Sequence, residues 1–224
     1  MHSVAPNPDP TSSSHVQPAP DGELPDALTG ERGLSPLHSA QGRSPAEQGP
    51  AFTSLPTWLQ QELRSDHAGE VGAVMIYRGI LAISRDASAR QFAERHLATE
   101  QQHLQLMERW VPVAHRTRLL PVWRVMGWLT GAFPALFGRQ AIFATIEAVE
   151  TFVDQHYEQQ VVRLDAQSEH ALLRQTLIDC QADEVSHRDE AAQLALPHRG
   201  PLVRCWCAIV GFGSAAAVVA AKRV

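Results

Sequence analysis

The amino-acid sequence predicts an all-α protein built around a four-helix bundle. Four long stretches place apolar side chains at i, i+3, i+4 and i+7, which is the spacing of one face of an amphipathic helix. Proline and glycine residues separate these stretches, as at Pro112 and at Gly200. Acidic and histidine residues recur in the same order in both halves of the chain, which indicates two similar helix pairs. The four predicted helices span about residues 57–84, 87–111, 139–164 and 169–196.

The recurring pattern is one glutamate followed, about one helix later, by a Glu-x-x-His motif. It occurs as Glu70 with Glu100 and His103, and again as Glu150 with Glu184 and His187. Residues i and i+3 are neighbours on a helix surface, so each motif can offer a carboxylate and an imidazole to one ion. A ferritin-like bundle needs this ligand set to hold two iron or manganese ions. Carboxylates with two imidazoles suit these ions, whereas zinc is more often held by cysteine or by more histidines.

Composition is that of a globular protein with one core. The chain is 44% hydrophobic, and its net charge of −5 gives no electrostatic basis for binding nucleic acid. An odd number of cysteines (Cys180, Cys205 and Cys207) does not suggest a disulfide framework and fits a reducing compartment, and we assign these residues no role. The N-terminus has neither a basic nor an apolar segment, so we expect no secretory signal and a cytoplasmic location.

The chain is expected to consist of a tail and one domain. Residues 1–50 are rich in Pro, Ser, Gly and Asp and contain few large apolar residues. Such a segment cannot bury enough surface to offset the entropy of ordering it. We therefore predict a disordered tail at residues 1–50 and a ferritin-like metal-binding domain at residues 51–224.

In the first predicted helix, Glu70 interrupts an apolar stripe. A carboxylate that faces a core must be protonated, paired or bound to a metal. Gly69 and Gly72 flank it, and because glycine disfavours helix we expect a neighbouring helix or a ligand to approach closely there. Thr57 is the expected N-terminal cap. His67 is expected to support the site or to be a satisfied polar residue, rather than to bind metal.

The later helices carry polar residues near the predicted ligands. His96 lies one turn before Glu100 and could hydrogen-bond it. Tyr157 lies two turns after Glu150 on the same face, within reach of the metal ligands. The alternative for Tyr157 is a core tyrosine bonded to a backbone carbonyl.

Two apolar segments lie outside the predicted bundle helices. Residues 119–138 contain one charge, Arg124, and two tryptophans, and proline and glycine interrupt them. This composition fits either a helical insertion in the membrane interface or a buried crossover between bundle halves. Residues 202–224 contain an uncharged run at 205–221, at the short limit for a membrane span. We favour an interfacial or bundle-packed helix there, with basic ends suited to anionic lipid.

Three segments, at residues 66–79, 149–157 and 183–189, read DHAGEVGAVMIYRG, VETFVDQHY and DEVSHRD. In this order they resemble the demethoxyubiquinone monooxygenase family, the di-iron hydroxylases of ubiquinone biosynthesis, and the resemblance covers about residues 58–224. It implies two carboxylate-bridged iron ions, with Glu100 and Glu184 as the bridges. The implied ligands are Glu70, Glu100, His103, Glu150, Glu184 and His187. It also implies that His156 and Tyr157 relay electrons or position the substrate.

The resemblance further implies an O2-dependent enzyme that hydroxylates the benzoquinol ring of a polyprenylated demethoxyubiquinol. The implied location is peripheral, on the cytoplasmic face of the bacterial inner membrane. There, residues 119–138 and 202–224 would bring the bundle to its lipid-borne substrate. A homo-oligomer and partners among other ubiquinone-biosynthesis proteins are both compatible with this picture.

The implied chemistry agrees with the residues, but two other functions remain open. Adding oxygen to an aromatic C–H bond needs metals that reduce O2, because side chains alone cannot do so. A ferritin-like protein that oxidises or stores iron would use the same ligands, although the two apolar segments and the His156–Tyr157 pair weigh against it. A membrane-adaptor bundle would use the glutamates and histidines only as buried pairs.

Overall fold

The computed structural model describes residues 51–164, 170–196 and 199–224. Those ranges contain six α-helices and no strand, which confirms the all-α prediction. The helices are α1 (Thr57–Ile83), α2 (Ala87–Trp110), α3 (Leu120–Ala135), α4 (Arg139–Arg163), α5 (Ala171–Leu194) and α6 (Pro201–Arg223). The predicted disordered tail at residues 1–50 lies outside the described residues.

The helix ends lie close to the predicted ones, with one error in capping. Thr57 is already helical, Pro56 occupies the cap position, and no side chain caps α1. The prediction for Thr57 is therefore wrong, because the fixed φ of proline suits a helix start without a side-chain cap. In α2, by contrast, Asp86 Oδ1 accepts a 2.9 Å hydrogen bond from the Ala89 backbone N–H.

Two apolar clusters fill the bundle of α1, α2, α4 and α5. One includes Tyr77, Phe92, Phe143 and Ile146. The other includes Leu59, Met107, Leu173 and Leu177. In each of the four helices the predicted ligands fall between residues of the first cluster and residues of the second. The predicted metal site therefore has apolar packing on both sides along the bundle.

α3 packs on α1 through glycine contacts. A Cβ built at Gly127 would lie 2.5 Å from the Gly72 carbonyl oxygen, and one at Gly131 would overlap the Ile76 carbonyl oxygen. Only residues without a Cβ allow the two backbones to come this close. The close approach expected at Gly72 is therefore made by α3. The same expectation for Gly69 is wrong, since nothing lies within 4 Å of a Cβ built there.

α6 packs against α4 and α1 and runs antiparallel to α3. Phe133, near the end of α3, packs against Trp206, near the start of α6, with 4.8 Å between their ring centroids. Trp206 Nε1 also donates a 2.9 Å hydrogen bond to Thr145 Oγ1 of α4. At the opposite ends of the two helices, Arg118 and Arg223 line one pocket.

The outer sides of α3 and α6 expose many apolar side chains. We call this the α3/α6 apolar surface; it comprises Val122, Val125, Met126, Leu129 and Phe133 of α3 with Leu202, Ile209, Phe212 and Val219 of α6. Leu129 is 44% exposed and Phe133 46% exposed, so the 119–138 segment is not a fully buried crossover. Among the described helices, α6 is the one with the length and apolar composition that could cross a membrane.

Candidate metal centre

The six predicted ligands meet inside the bundle. Their exposed fractions do not exceed 4%. They form two overlapping groups, in each of which the potential ligand atoms lie within 4.8 Å of one another. The groups are Glu70, Glu100, His103 and Glu184, and Glu100, Glu150, Glu184 and His187. Glu100 and Glu184 belong to both groups, which is the position expected of bridging carboxylates.

Each imidazole directs its Nδ1 atom toward the carboxylates. His103 Nδ1 lies 3.1 Å from Glu184 Oε1 and 3.9 Å from Glu70 Oε2. His187 Nδ1 lies 3.1 Å from Glu100 Oε1 and 3.5 Å from Glu184 Oε2. Glu184 thus stands between the two histidines, and the arrangement repeats the duplication seen in the sequence.

Several buried atoms of this cluster have no hydrogen-bond partner among the described residues. They are Glu70 Oε2, both carboxylate oxygens of Glu100, Glu184 Oε2 and His187 Nδ1. A buried carboxylate without partners is strongly destabilising unless it is protonated or bound to a cation. These oxygen and nitrogen donors converge, so the residues fit hard to borderline divalent ions such as iron or manganese.

The directions of the pKa shifts indicate that burial and mutual repulsion oppose several negative charges in the cluster. Burial and the neighbouring Glu184 and Glu100 raise the pKa of Glu150 well above its usual value. Burial likewise raises the pKa of Glu70, against the opposing effect of His103. For Glu184, burial acts upward, but the nearby imidazoles of His103 and His187 outweigh it and lower the pKa. A bound cation would relieve the same repulsion.

Glu70 and Glu150, which we call the outer glutamates, each belong to one ligand group only. A tyrosine on the opposite helix supports each of them. The Tyr157 hydroxyl on α4 donates a 2.5 Å hydrogen bond to Glu70 Oε1 on α1. The Tyr77 hydroxyl on α1 donates a 3.1 Å hydrogen bond to Glu150 Oε1 on α4. The hydrogen-bond partner of Tyr157 is therefore a ligand carboxylate and not a backbone carbonyl. That carboxylate belongs to Glu70, although Glu150 is closer to Tyr157 in the sequence. The role of Tyr77 was missed, although its position seven residues after Glu70 matches that of Tyr157 after Glu150.

The rings of His103 and His187 have different neighbours on the side that faces away from the carboxylates. His103 Nε2 lies 3.1 Å from Asp183 Oδ2, a carboxylate that orients the ring. The His187 ring instead packs edge-on against His96, with 4.1 Å between ring centroids. His96 Nε2 contacts Glu190 Oε2 at 2.9 Å, so the expected bond to Glu100 is wrong. Burial lowers the pKa of His96 to about 3, and the positive charge of His187 acts in the same direction.

His156 lies outside the ligand cluster. Its Nε2 atom is 3.1 Å from Asp66 Oδ1, which also accepts a 2.9 Å hydrogen bond from Gln160 Nε2. His156 lines a pocket of about 160 Å³ between α4 and α6, and Lys222 lines the same pocket. His156 thus lines the pocket, while the next residue in the sequence, Tyr157, bonds to Glu70.

His67 is buried, but neither of its ring nitrogens has a hydrogen-bond partner within the described ranges. His67 belongs to neither metal group, and it is not the hydrogen-bonded polar residue that we expected. Burial lowers its pKa to about 4, and the nearby guanidinium groups of Arg116 and Arg124 lower it further. The ring is thus neutral at pH 7.

Comparisons with known proteins identify the family of this chain. The family profile described as ubiquinone biosynthesis protein COQ7 matches residues 57–221. The 3-demethoxyubiquinol 3-hydroxylase of Rhodospirillum rubrum is 36% identical over 156 residues, which cover 68% of this chain and 73% of that protein. The mitochondrial NADPH-dependent 3-demethoxyubiquinone 3-hydroxylase of Caenorhabditis elegans is 30% identical, over 74% of this chain and 90% of that protein.

Proposed function

This chain belongs to the COQ7 family of ubiquinone biosynthesis proteins, and we propose that it is the di-iron monooxygenase that hydroxylates the ring of a polyprenylated demethoxyubiquinol. The observation that carries the proposal is the buried pair of ligand groups that share Glu100 and Glu184. Family membership supplies the substrate class, since the relatives are named as demethoxyubiquinol or demethoxyubiquinone hydroxylases. The buried cluster supplies the reason why this chain retains that chemistry.

We assign the ligands as one terminal glutamate and one histidine for each ion, with two shared carboxylates. One iron would be held by Glu70, His103, Glu100 and Glu184, and the other by Glu150, His187, Glu100 and Glu184. When bound, such a pair supplies the two-electron activation of O2 that protein side chains lack. Iron is favoured over zinc by the excess of carboxylates and by the absence of cysteine from both groups.

The protein's own residues have three tasks in this proposal. The apolar clusters on either side of the centre exclude water from it. Tyr157 and Tyr77 hold the outer glutamates by hydrogen bonds, which fixes the carboxylate orientation. His156, held by Asp66, would position the substrate or pass electrons together with Tyr157.

The substrate is proposed to arrive from a membrane. A polyprenyl tail does not leave the bilayer readily, because each buried methylene favours the apolar phase by about 0.8 kcal/mol. The α3/α6 apolar surface is suited to lie in the interface of the cytoplasmic membrane, with the tail in lipid and the ring directed toward the bundle. A protein that only oxidised and stored iron would have no need of this surface, which favours the hydroxylase.

Quinone analysis of a bacterial strain that lacks this chain tests the proposal. We expect the strain to accumulate demethoxyubiquinone and to recover ubiquinone when the wild-type chain is restored. Glu184→Ala should not restore it and should bind less iron, because a shared ligand is removed. Glu94→Ala, an exposed glutamate on α2, is the matched control and should restore ubiquinone fully. Restoration by Glu184→Ala, or failure of the wild-type chain, would remove the proposal.

A further inference from the structure

A basic pocket lies where α3 begins and α6 ends. Its volume is about 400 Å³. Its lining residues include four arginines and no acidic side chain: Arg64, Ala114, His115, Arg116, Arg118, Arg223 and Val224. None of the proposed metal ligands lines the pocket.

Two of these arginines are available to a ligand. Arg64 Nε donates to the His115 carbonyl oxygen at 2.9 Å, and Arg116 pairs with Glu108 at 2.9 Å, so these two shape the pocket wall. Arg118 and Arg223 are exposed and form no ion pair with any other described residue. A guanidinium group can bind two oxygens of a phosphate at once, which makes a pair of free arginines a suitable phosphate site.

The local charge also acts inside the protein. Burial lowers the pKa of His67 to about 4, and the charges of Arg116 and Arg124 contribute to that shift. Arg124 lies on the exposed side of α3 and extends the basic region beyond the pocket. Positive charge is therefore concentrated at this end of α3, next to the aliphatic side chains that α3 exposes.

The position of the pocket indicates which kind of molecule would supply a phosphate group to it. α3 and α6 are antiparallel, so the start of one and the end of the other border the same end of the α3/α6 apolar surface. In a bilayer the phosphate groups lie just outside the hydrocarbon region, in contact with the apolar part of the same molecules. A pocket with free arginines at the border of an exposed apolar surface has the same arrangement of charged and apolar parts.

We propose that the pocket formed by Arg64, Arg116, Arg118 and Arg223 binds the phosphate group of an anionic phospholipid and thereby fixes how the protein sits on the membrane. This inference rests on the proposed membrane location of the hydroxylase. It adds a specific lipid site, at one end of the α3/α6 apolar surface, to a surface that could otherwise bind lipid without orientation.

Vesicle flotation of the full iron-loaded chain tests the site. The probes are vesicles of phosphatidylcholine alone and vesicles that also contain phosphatidylglycerol. Each basic residue near an anionic surface contributes about fivefold in affinity, so Arg118→Gln/Arg223→Gln should bind the anionic vesicles about 30-fold more weakly. Binding to the neutral vesicles should stay within about twofold, because the apolar surface is unchanged.

The matched control is Arg85→Gln/Arg109→Gln, which removes the same charge from two exposed arginines outside the pocket. Arg85 lies between α1 and α2, and Arg109 lies on α2, so neither belongs to the two helices that form the α3/α6 apolar surface. The control should weaken anionic binding by less than about threefold at physiological salt, since screening limits charges outside a site. Equal losses in the two double variants would overturn the proposal in favour of general surface charge.

Two further measurements separate the remaining outcomes. Inorganic phosphate and glycerol 3-phosphate should not bind the wild-type chain at millimolar concentration. Tight binding of either one through the same arginines would make the pocket a site for a soluble phosphate and overturn the lipid assignment.

Hydroxylation of a short-tailed quinol in detergent should be equal in the wild type and the pocket variant. A protein that hydroxylates but ignores anionic lipid would overturn this inference and leave the proposed function standing.

Discussion

The Tyr157 hydroxyl donates a 2.5 Å hydrogen bond to Glu70 Oε1, across the bundle from α4 to α1. Tyr77 on α1 reaches Glu150 Oε1 on α4 at 3.1 Å. Each tyrosine therefore supports the outer glutamate of the opposite helix, while it lies seven residues after the outer glutamate of its own helix. The duplication in the sequence is thus also a duplication in the hydrogen bonds that surround the candidate ligands.

The two tyrosines provide a matched pair of variants. Tyr157→Phe and Tyr77→Phe should each lower the unfolding free energy by about 1–3 kcal/mol, because each leaves a buried carboxylate oxygen unpaired. With both proteins fully loaded with iron, kcat should fall at least tenfold in Tyr157→Phe and less in Tyr77→Phe. The reason is the proposed role of Tyr157 beyond holding Glu70. Equal kcat values in the two loaded variants would restrict Tyr157 to that holding role.

The two halves of the centre should differ in how firmly they hold metal. His103 is oriented by Asp183, whereas His187 packs against the neutral His96 ring. Asp183→Asn should therefore weaken the ion at His103 about 10- to 100-fold and leave the other ion in place. Iron analysis during a timed chelator challenge should show early loss of one ion per chain.

Asp179→Asn is the control for that experiment, since Asp179 is exposed on the same helix and, among the described residues, accepts a side-chain hydrogen bond from Gln175 alone. It should release iron at the wild-type rate. Simultaneous loss of both ions in Asp183→Asn would contradict the assignment of Asp183 to one half of the centre.

The candidate ligands could be predicted from sequence because their signal is local. A carboxylate on an apolar helix face, and a Glu-x-x-His spacing on the next helix, need only the helical period to be recognised. Their supporting residues could not be predicted in the same way. His96 lies one turn from Glu100 yet contacts Glu190 on α5, because the rotation of α2 against α5 decides its partner.

The glycines illustrate the same limit. Gly69 and Gly72 both appear as helix-disfavouring residues beside Glu70 in the sequence. A Cβ built at Gly72 would contact the Trp123 side chain of α3, whereas nothing lies within 4 Å of a Cβ built at Gly69. The sequence therefore indicates that a close approach exists somewhere, whereas the packing of α3 decides where it occurs.

The α1–α3 contact should be sensitive to a single methyl group. A Cβ at Gly131 would overlap the Ile76 carbonyl oxygen, so Gly131→Ala should separate the helices and destabilise the protein by about 2–3 kcal/mol. Gly211→Ala is the control, because nothing lies within 4 Å of a Cβ built there. It should be neutral or stabilising by up to about 1 kcal/mol. Thermal unfolding of both variants measures the difference, and equal midpoints would rule out the close contact.

His67 should make the metal-free protein sensitive to acid. The pKa of His67 is about 4 in the folded state and 6.5 in the unfolded chain. Above pH 6.5 the ring is neutral in both states, so folding does not have to remove a proton from it. As pH falls from 6.5 toward 4, the unfolded chain binds a proton that the folded state excludes, so the free energy of unfolding falls. Between pH 7 and pH 5, the unfolding free energy of the wild type should fall by about 2 kcal/mol more than that of His67→Leu. Parallel pH profiles from chemical denaturation would show that His67 is solvated in the folded state.

The most direct test of the proposed hydroxylase uses isotopically labelled oxygen. The purified chain is loaded with iron, supplied with a reductant and a demethoxyubiquinol, and exposed to 18O2 in ordinary water. We predict that the new ring hydroxyl carries the label, that the protein holds two irons per chain, and that Glu184→Ala forms no product. An unlabelled hydroxyl, or no product from a chain that holds two irons, would contradict the assignment of this buried cluster to O2-dependent ring hydroxylation.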